Sequence, residues 1–110
     1  MILKNISKKT VLAQDLKQAK SFLDKAVGLL RKSNPRALLF KTRFGIHTFF
    51  LREAIDVIVL DREFKVVKIK QNLNSNRLFF WNPGYFYILE LPAGLIKKTH
   101  TTIGDKLVRF

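Results

Sequence analysis

Between Asp15 and Lys32 one set of apolar side chains falls at Leu16, Ala19, Leu23, Ala26, Val27 and Leu30. That is the i, i+3, i+4, i+7 spacing of one helical face. Asp15 stands where an N-cap belongs, with Gln18 three residues on as in a capping box. Lys25, Arg31 and Lys32 suit the C-terminal end of a helix dipole, and Ser33-Asn34-Pro35 stops the run. The spacing therefore predicts one N-terminal amphipathic helix over about 15–32. Gly28 costs such a helix about 1 kcal/mol against alanine. It signals either close approach of another backbone or a helix that frays early.

Beyond Pro35 the period changes to that of strands. Ala37 to Lys41 is short and apolar, and Ile46 to Arg52 follows a turn at Arg43-Phe44-Gly45. Ile55 to Leu60 is β-branched and continuous, which predicts a central strand covered on both faces. Asp61-Arg62-Glu63 reads as a tight turn, and Phe64 to Lys70 as a strand with one wet face. Asn72 to Arg77 reads as a polar loop, and Arg77 to Trp81 carries no clear period. Tyr85 to Leu91 reads as a strand between the breakers Asn82-Pro83-Gly84 and Pro92-Ala93-Gly94. Ile96 to Thr99 fits one helical turn, and Ile103-Gly104-Asp105 turns into a last strand, Lys106 to Arg109. The expected class is mainly β, a sandwich or jelly-roll-like domain or a distorted barrel, with the one flanking helix.

Composition narrows the class. The 110 residues are 47% apolar, which supports one core and one domain over 1–110. No cysteine is present, so disulfides and thiolate metal sites are excluded. The N-terminal MILKNISKK lacks the apolar core of a signal peptide, and no apolar run approaches a membrane span. A cytoplasmic protein is the expectation. Charge is the strongest global signal: 21 Lys and Arg face 8 Asp and Glu, a net +13. Such a field attracts polyanions. The cations are scattered from Lys4 to Arg109, however, rather than gathered into a nucleic-acid-binding arm, so a solvated basic surface is the competing reading.

Catalytic motifs are absent. The sequence holds no G-x-S-x-G elbow, no P-loop and no G-x-G-x-x-G. Only two histidines occur, His47 and His100, in no metal-binding spacing. No cofactor and no metal are expected.

Four stretches are nevertheless distinctive: GLLRKS (Gly28 to Ser33), HTFFLREAIDVIVLD (His47 to Asp61), ILELPAG (Ile88 to Gly94) and IGDKL (Ile103 to Leu107). In order and spacing, from about Ala13 to Leu107, they resemble the motifs of the family called domain of unknown function 192. The resemblance implies a compact β-sandwich or jelly-roll-like domain with a small helical element, and it implies no activity. Leu51 stands where that family often has Met. Glu53-Ala54 stands where it usually has an apolar residue and proline, which loosens the implied turn.

The candidate chemistry gathers at His47 to Asp56. If Ile46 to Arg52 is a strand, Thr48, Phe50 and Arg52 share one face. A turn at Glu53-Ala54 would swing Asp56 back toward Arg52. One reading is structural: a paired Arg52 and Asp56 satisfying backbone groups where a ladder is interrupted. The other is a small-ligand pocket. There Arg52 offers a guanidinium fork, Asp56 and Glu90 supply acids, His47 titrates beside Thr48, and Phe50 and Trp81 form an apolar wall. Three functions follow. The leading one is a non-enzymatic binding module for a small anionic ligand or a protein partner, monomeric or weakly dimeric. The second is a nucleic-acid binder using the basic surface with Phe79, Phe80, Trp81, Tyr85 and Phe86 as stacking groups. The third is an enzyme using Asp56, Glu90 and His47.

Overall fold

The computed structural model describes residues 1–18, 37–41, 45–47, 54–74, 78–80 and 87–110. Ten strands lie among them: β1 (Leu3–Asn5), β2 (Thr10–Ala13), β3 (Lys17–Gln18), β4 (Leu38–Lys41), β5 (Gly45–His47), β6 (Ile55–Leu60), β7 (Val66–Leu73), β8 (Leu78–Phe80), β9 (Tyr87–Pro92) and β10 (Leu107–Arg109). One short helix, α1 (Leu95–Lys98), stands between β9 and β10. A three-stranded sheet has the order β10-β1-β2, and a five-stranded sheet the order β3-β4-β9-β6-β7; β5 and β8 pair separately. The fold is mainly β. The ladders among the described residues end at open edges, so they form no closed barrel.

The core lies where the two larger sheets meet. Leu3, Leu12 and Leu107 come from the smaller sheet, and Leu39, Ile58, Leu60, Leu89 and Leu91 from the larger one. All join a single buried cluster with Leu16 and Ile96. Strand β6 is central, between β9 and β7, and each of its six residues is buried. The β-branched run Val57–Val59 and its aliphatic neighbours fit that place, and Asp56 is the one polar residue of the strand. The edge strand β7 carries Lys68 and Lys70, which discourage edge-to-edge pairing.

The helix expected over 15–32 is not supported. Leu16 is buried and donates its N–H to the Met1 carbonyl at 2.8 Å, and Lys17–Gln18 is extended. Lys17 and Gln18 pair in parallel with Leu38 and Leu39. Asp15 therefore caps no helix beginning there. Here the ladder between β3 and β4 and the capture of Leu16 by the core outweigh local propensity over 15–18, as tertiary context commonly does. Residues 19–32 lie outside the described residues. The polar stretch at Asn72 also differs from expectation: β7 continues through Leu73 by way of a bulge. Ile55 pairs with Leu73 and Val57 with Lys70, so Gln71 and Asn72 together face Asp56 alone. Asn72 takes a left-handed φ of 55°.

The turn from β6 to β7 is built by Asp61. Its Oδ1 accepts the Glu63 and Lys65 N–H groups, both at 2.9 Å, and its carbonyl accepts the Phe64 N–H at 3.1 Å. Phe64 is left-handed, with φ 62°, a costly conformation for a large aromatic residue. It is held there because its carbonyl accepts the Leu107 N–H at 2.9 Å, which ties the turn to β10. Replacing Asp61 with alanine should lower stability by about 1–2 kcal/mol. Urea denaturation measures this, and an unchanged midpoint would show that the carboxylate does not hold the turn.

Candidate functional site

Asp56 sits inside β6 with no exposed surface. Its Oδ1 accepts the Asn72 N–H at 2.8 Å, and its Oδ2 accepts the N–H groups of Gly94 at 3.1 Å and Ile96 at 2.9 Å. The first bond satisfies the donor that the bulge in β7 leaves outside the ladder. The other two fix the entry to α1, where Gly94 takes a φ of 94°, a conformation glycine adopts without strain. One carboxylate thus pins three segments of chain to the central strand. The two oxygens are committed to backbone donors, and neither faces solvent.

Glu90 is also buried, at 1% exposure, in β9. Cross-strand partners share a face of a sheet. Asp56 pairs with Leu91, whereas Glu90 pairs with Val57 and with Leu38. The two carboxylates therefore lie on opposite faces of the five-stranded sheet. Asp56 faces the core with Ile58 and Leu91, while Glu90 shares its face with Val57 and Leu38. His47 ends β5, paired with Leu78. Thr48, Phe50, Arg52 and Trp81 lie outside the described residues, and so does the expected Arg52–Asp56 pair.

A second polar cluster has no counterpart in the candidates taken from the sequence. Asn5, Thr99, Thr101 and Asp105 are all buried. The Asn5 Nδ2 donates to Asp105 Oδ2 at 2.9 Å and to Thr101 Oγ1 at 3.1 Å, and the Asn5 Oδ1 accepts the Lys8 N–H at 3.0 Å. The Lys8 Nζ lies 2.8 Å from Asp105 Oδ1. Thr102 donates its N–H to Asp105 Oδ2 at 2.9 Å. Burial pushes the Asp105 carboxyl up. The Asn5 amide, the Lys8 ammonium and the Thr102 N–H together outweigh burial and hold its pKa at about 2. This cluster ties the β1–β2 turn to the approach to β10. The turn glycine Gly104, with φ 97°, permits the approach. The only sequence signal was the Ile103-Gly104-Asp105 turn, which gives no hint of Asn5 or Lys8.

Among the described residues, no three His, Asp or Glu side chains gather as a metal set, and no helix is long and apolar enough to cross a membrane. The exposed cations are a separate feature. No described lysine or arginine is buried, whereas Asp56, Glu90 and Asp105 are.

Comparison with known proteins places this architecture. A UPF0127 protein of Pyrococcus horikoshii is 37% identical over 112 residues, covering 96% of each chain. A UPF0127 protein of Pyrococcus abyssi is 36% identical, covering 81% of this chain and 80% of its own. Among solved structures, a protein of unknown function from Novosphingobium aromaticivorans superposes with a TM-score of 0.75 at 16% identity, covering 98% of this chain and 82% of its own. A proposed transcription regulator of Sinorhizobium meliloti superposes with a TM-score of 0.77 at 19% identity, covering 97% and 89%. These two share the fold. The family model of domain of unknown function 192, described as Uncharacterized ACR, matches residues 3–109. The chain belongs to that family.

Proposed function

We propose that the protein is a non-enzymatic binding module for an anionic ligand. One observation carries this reading: of the six described acids three are buried, whereas no described lysine or arginine is. Asp56, Glu90 and Asp105 are buried, and Asp61 is engaged by its own turn. The described lysines and arginines are all exposed or half-buried. Among the described residues the surface charge is therefore predominantly positive, in keeping with the net +13 of the sequence. A catalytic reading draws less support. Asp56 spends its oxygens on backbone N–H groups, and Glu90 lies on the other face of the sheet, so these acids do not converge. The pocket imagined around Arg52, with His47, Thr48, Phe50 and Trp81, is retained as a proposal without Asp56 as a ligand group.

The test is a thermal-shift series with phosphate, sulfate and citrate against chloride at matched ionic strength. A ligand that binds only the folded state raises the midpoint with concentration. We expect at least one multivalent anion to do so. Equal midpoints in all four salts would remove the reading.

The exposed lysines also favour a second reading, a nucleic-acid binder, and the fold neighbour from Sinorhizobium meliloti carries a proposed role in transcription. Anisotropy of labelled single-stranded and duplex DNA across salt separates the two. A steep log–log dependence with micromolar or tighter binding at physiological salt favours nucleic acid.

A further inference from the structure

We infer that the surface groove between the β6–β7 turn and β10 is the anion site, and that it takes a small phosphomonoester. This rests on the anion-binding reading above and gives it a place and a ligand class. The groove is shallow and open to solvent, with a volume of about 340 Å³, and Arg62, Phe64, Tyr87, Lys106 and Arg109 line it, together with Glu63 and two strand residues of β10. A volume of that order lies at the small end of known ligand sites. A short organic group carrying one phosphate fits it better than a long polymer does.

Three features of the chain converge there. The first is a preorganised guanidinium. Arg109 lies over the Phe64 ring at 5.0 Å, and its Nη1 donates to Gln18 Oε1 at 3.0 Å. The ring on one side and a hydrogen bond at one corner restrain the guanidinium. Part of the entropy of holding an anion is therefore spent before binding. The second is charge. Arg62, Lys106 and Arg109 face one acid, Glu63, so the lining residues carry a net +2. A phosphomonoester carries about −1.5 to −2 at pH 7, whereas a carboxylate carries only one charge.

The third feature is the backbone at Phe64. Its left-handed conformation sets the ring against Tyr87, with centroids 4.7 Å apart and planes at 65°. Lys41 Nζ lies 5.5 Å from the Tyr87 centroid. Each ring thus carries a cation over one face. The apolar wall is present, but it offers charge beside the rings instead of a bare platform for stacking bases.

The experiment is isothermal titration of the whole protein with phenyl phosphate and with benzoate, at about 0.15 M salt to screen weak surface attraction. Wild type, Arg109→Gln, Arg62→Gln and Lys106→Gln are compared, with Lys97→Gln on α1 as a distant control. We expect phenyl phosphate to bind more tightly than benzoate. Arg109→Gln should weaken it roughly tenfold, the loss of one charge-assisted pair, and Lys97→Gln should leave it unchanged. If Arg109→Gln also melts early, the variants of the exposed Arg62 and the half-buried Lys106 decide. Phenyl phosphate binding that falls no more in the groove variants than in Lys97→Gln overturns the site and leaves the anion-binding reading standing. No binding of either probe, with no thermal shift in any salt, removes both. Labelled single-stranded DNA bound far more tightly than phenyl phosphate, and weakened equally by Arg109→Gln and Lys97→Gln, overturns the phosphomonoester in favour of nucleic acid.

Discussion

Replacing Asp56 with alanine is expected to cost about 3–5 kcal/mol, the range for removing one side of a buried charged interaction. Three buried or half-buried donors lose their acceptor at once: the N–H groups of Asn72, Gly94 and Ile96. None of them has a place in a regular ladder to fall back on. Asn72 stands in the bulge, and Gly94 and Ile96 precede or open α1. Asparagine in place of Asp56 keeps one acceptor oxygen but turns an NH₂ toward backbone N–H groups, so it should recover only part of the loss. Urea denaturation gives the magnitude, and hydrogen exchange gives the mechanism. Exchange at the Asn72, Gly94 and Ile96 amides should accelerate more than exchange along β9. A loss below about 1 kcal/mol, the net worth of one ordinary hydrogen bond, would mean that Asp56 is not the staple of the central sheet. It would also return the carboxylate to the list of candidate ligand groups.

Strand β6 and the partners of Asp56 show how legibility in the sequence depends on range. The boundaries of Ile55–Leu60 and its burial on both faces could be read directly, because five of its six positions are β-branched or aliphatic and admit few alternatives. The turn at Asp61, the breaker at Gly94 and the helical turn near Ile96 are equally local, and they fall where their residues suggest. What Asp56 binds could not be read, since its partners lie 16, 38 and 40 residues away. The same holds for the opposition of Asp56 and Glu90, which follows from the register of β6 on β9. The stretch from Asp15 failed for a related reason. Its spacing is that of a helix, but the first residues are claimed by Met1 and Ala37, partners that no local pattern announces. Strands β1 and β2, with three and four residues, are too short for alternation to mark them. The groove at Arg109 was missed because its residues come from three separate stretches, each unremarkable alone.

The cluster at Asp105 predicts an acid-labile connection between the two ends of the described chain. The Asn5 and Asp105 side chains are 100 residues apart in sequence and 2.9 Å apart in space. Losing their bond frees the β1–β2 turn from the segment before β10. Asp105→Ala should cost about 2–4 kcal/mol, since it leaves the buried Asn5 amide short of an acceptor and Lys8 without its counter-charge. The Lys8 side chain is 34% exposed, so water replaces much of its part and the loss falls mainly on Asn5 and Thr102. The sign of the pH effect follows from the direction of the shift. The folded pKa, about 2, lies below the ordinary 3.8. The contribution is therefore complete above the unfolded value and is lost as pH falls from there toward 2. Asp105→Asn removes the titrating group while nearly keeping its shape. The stability difference between wild type and Asp105→Asn should thus be constant from neutral pH down to about 5, then shrink through the acid window. Chemical denaturation at a series of pH values measures it. A difference that stays constant down to pH 2 would show that the charge on Asp105 contributes nothing, leaving Asn5, Thr99 and Thr101 to hold the ends together through neutral hydrogen bonds.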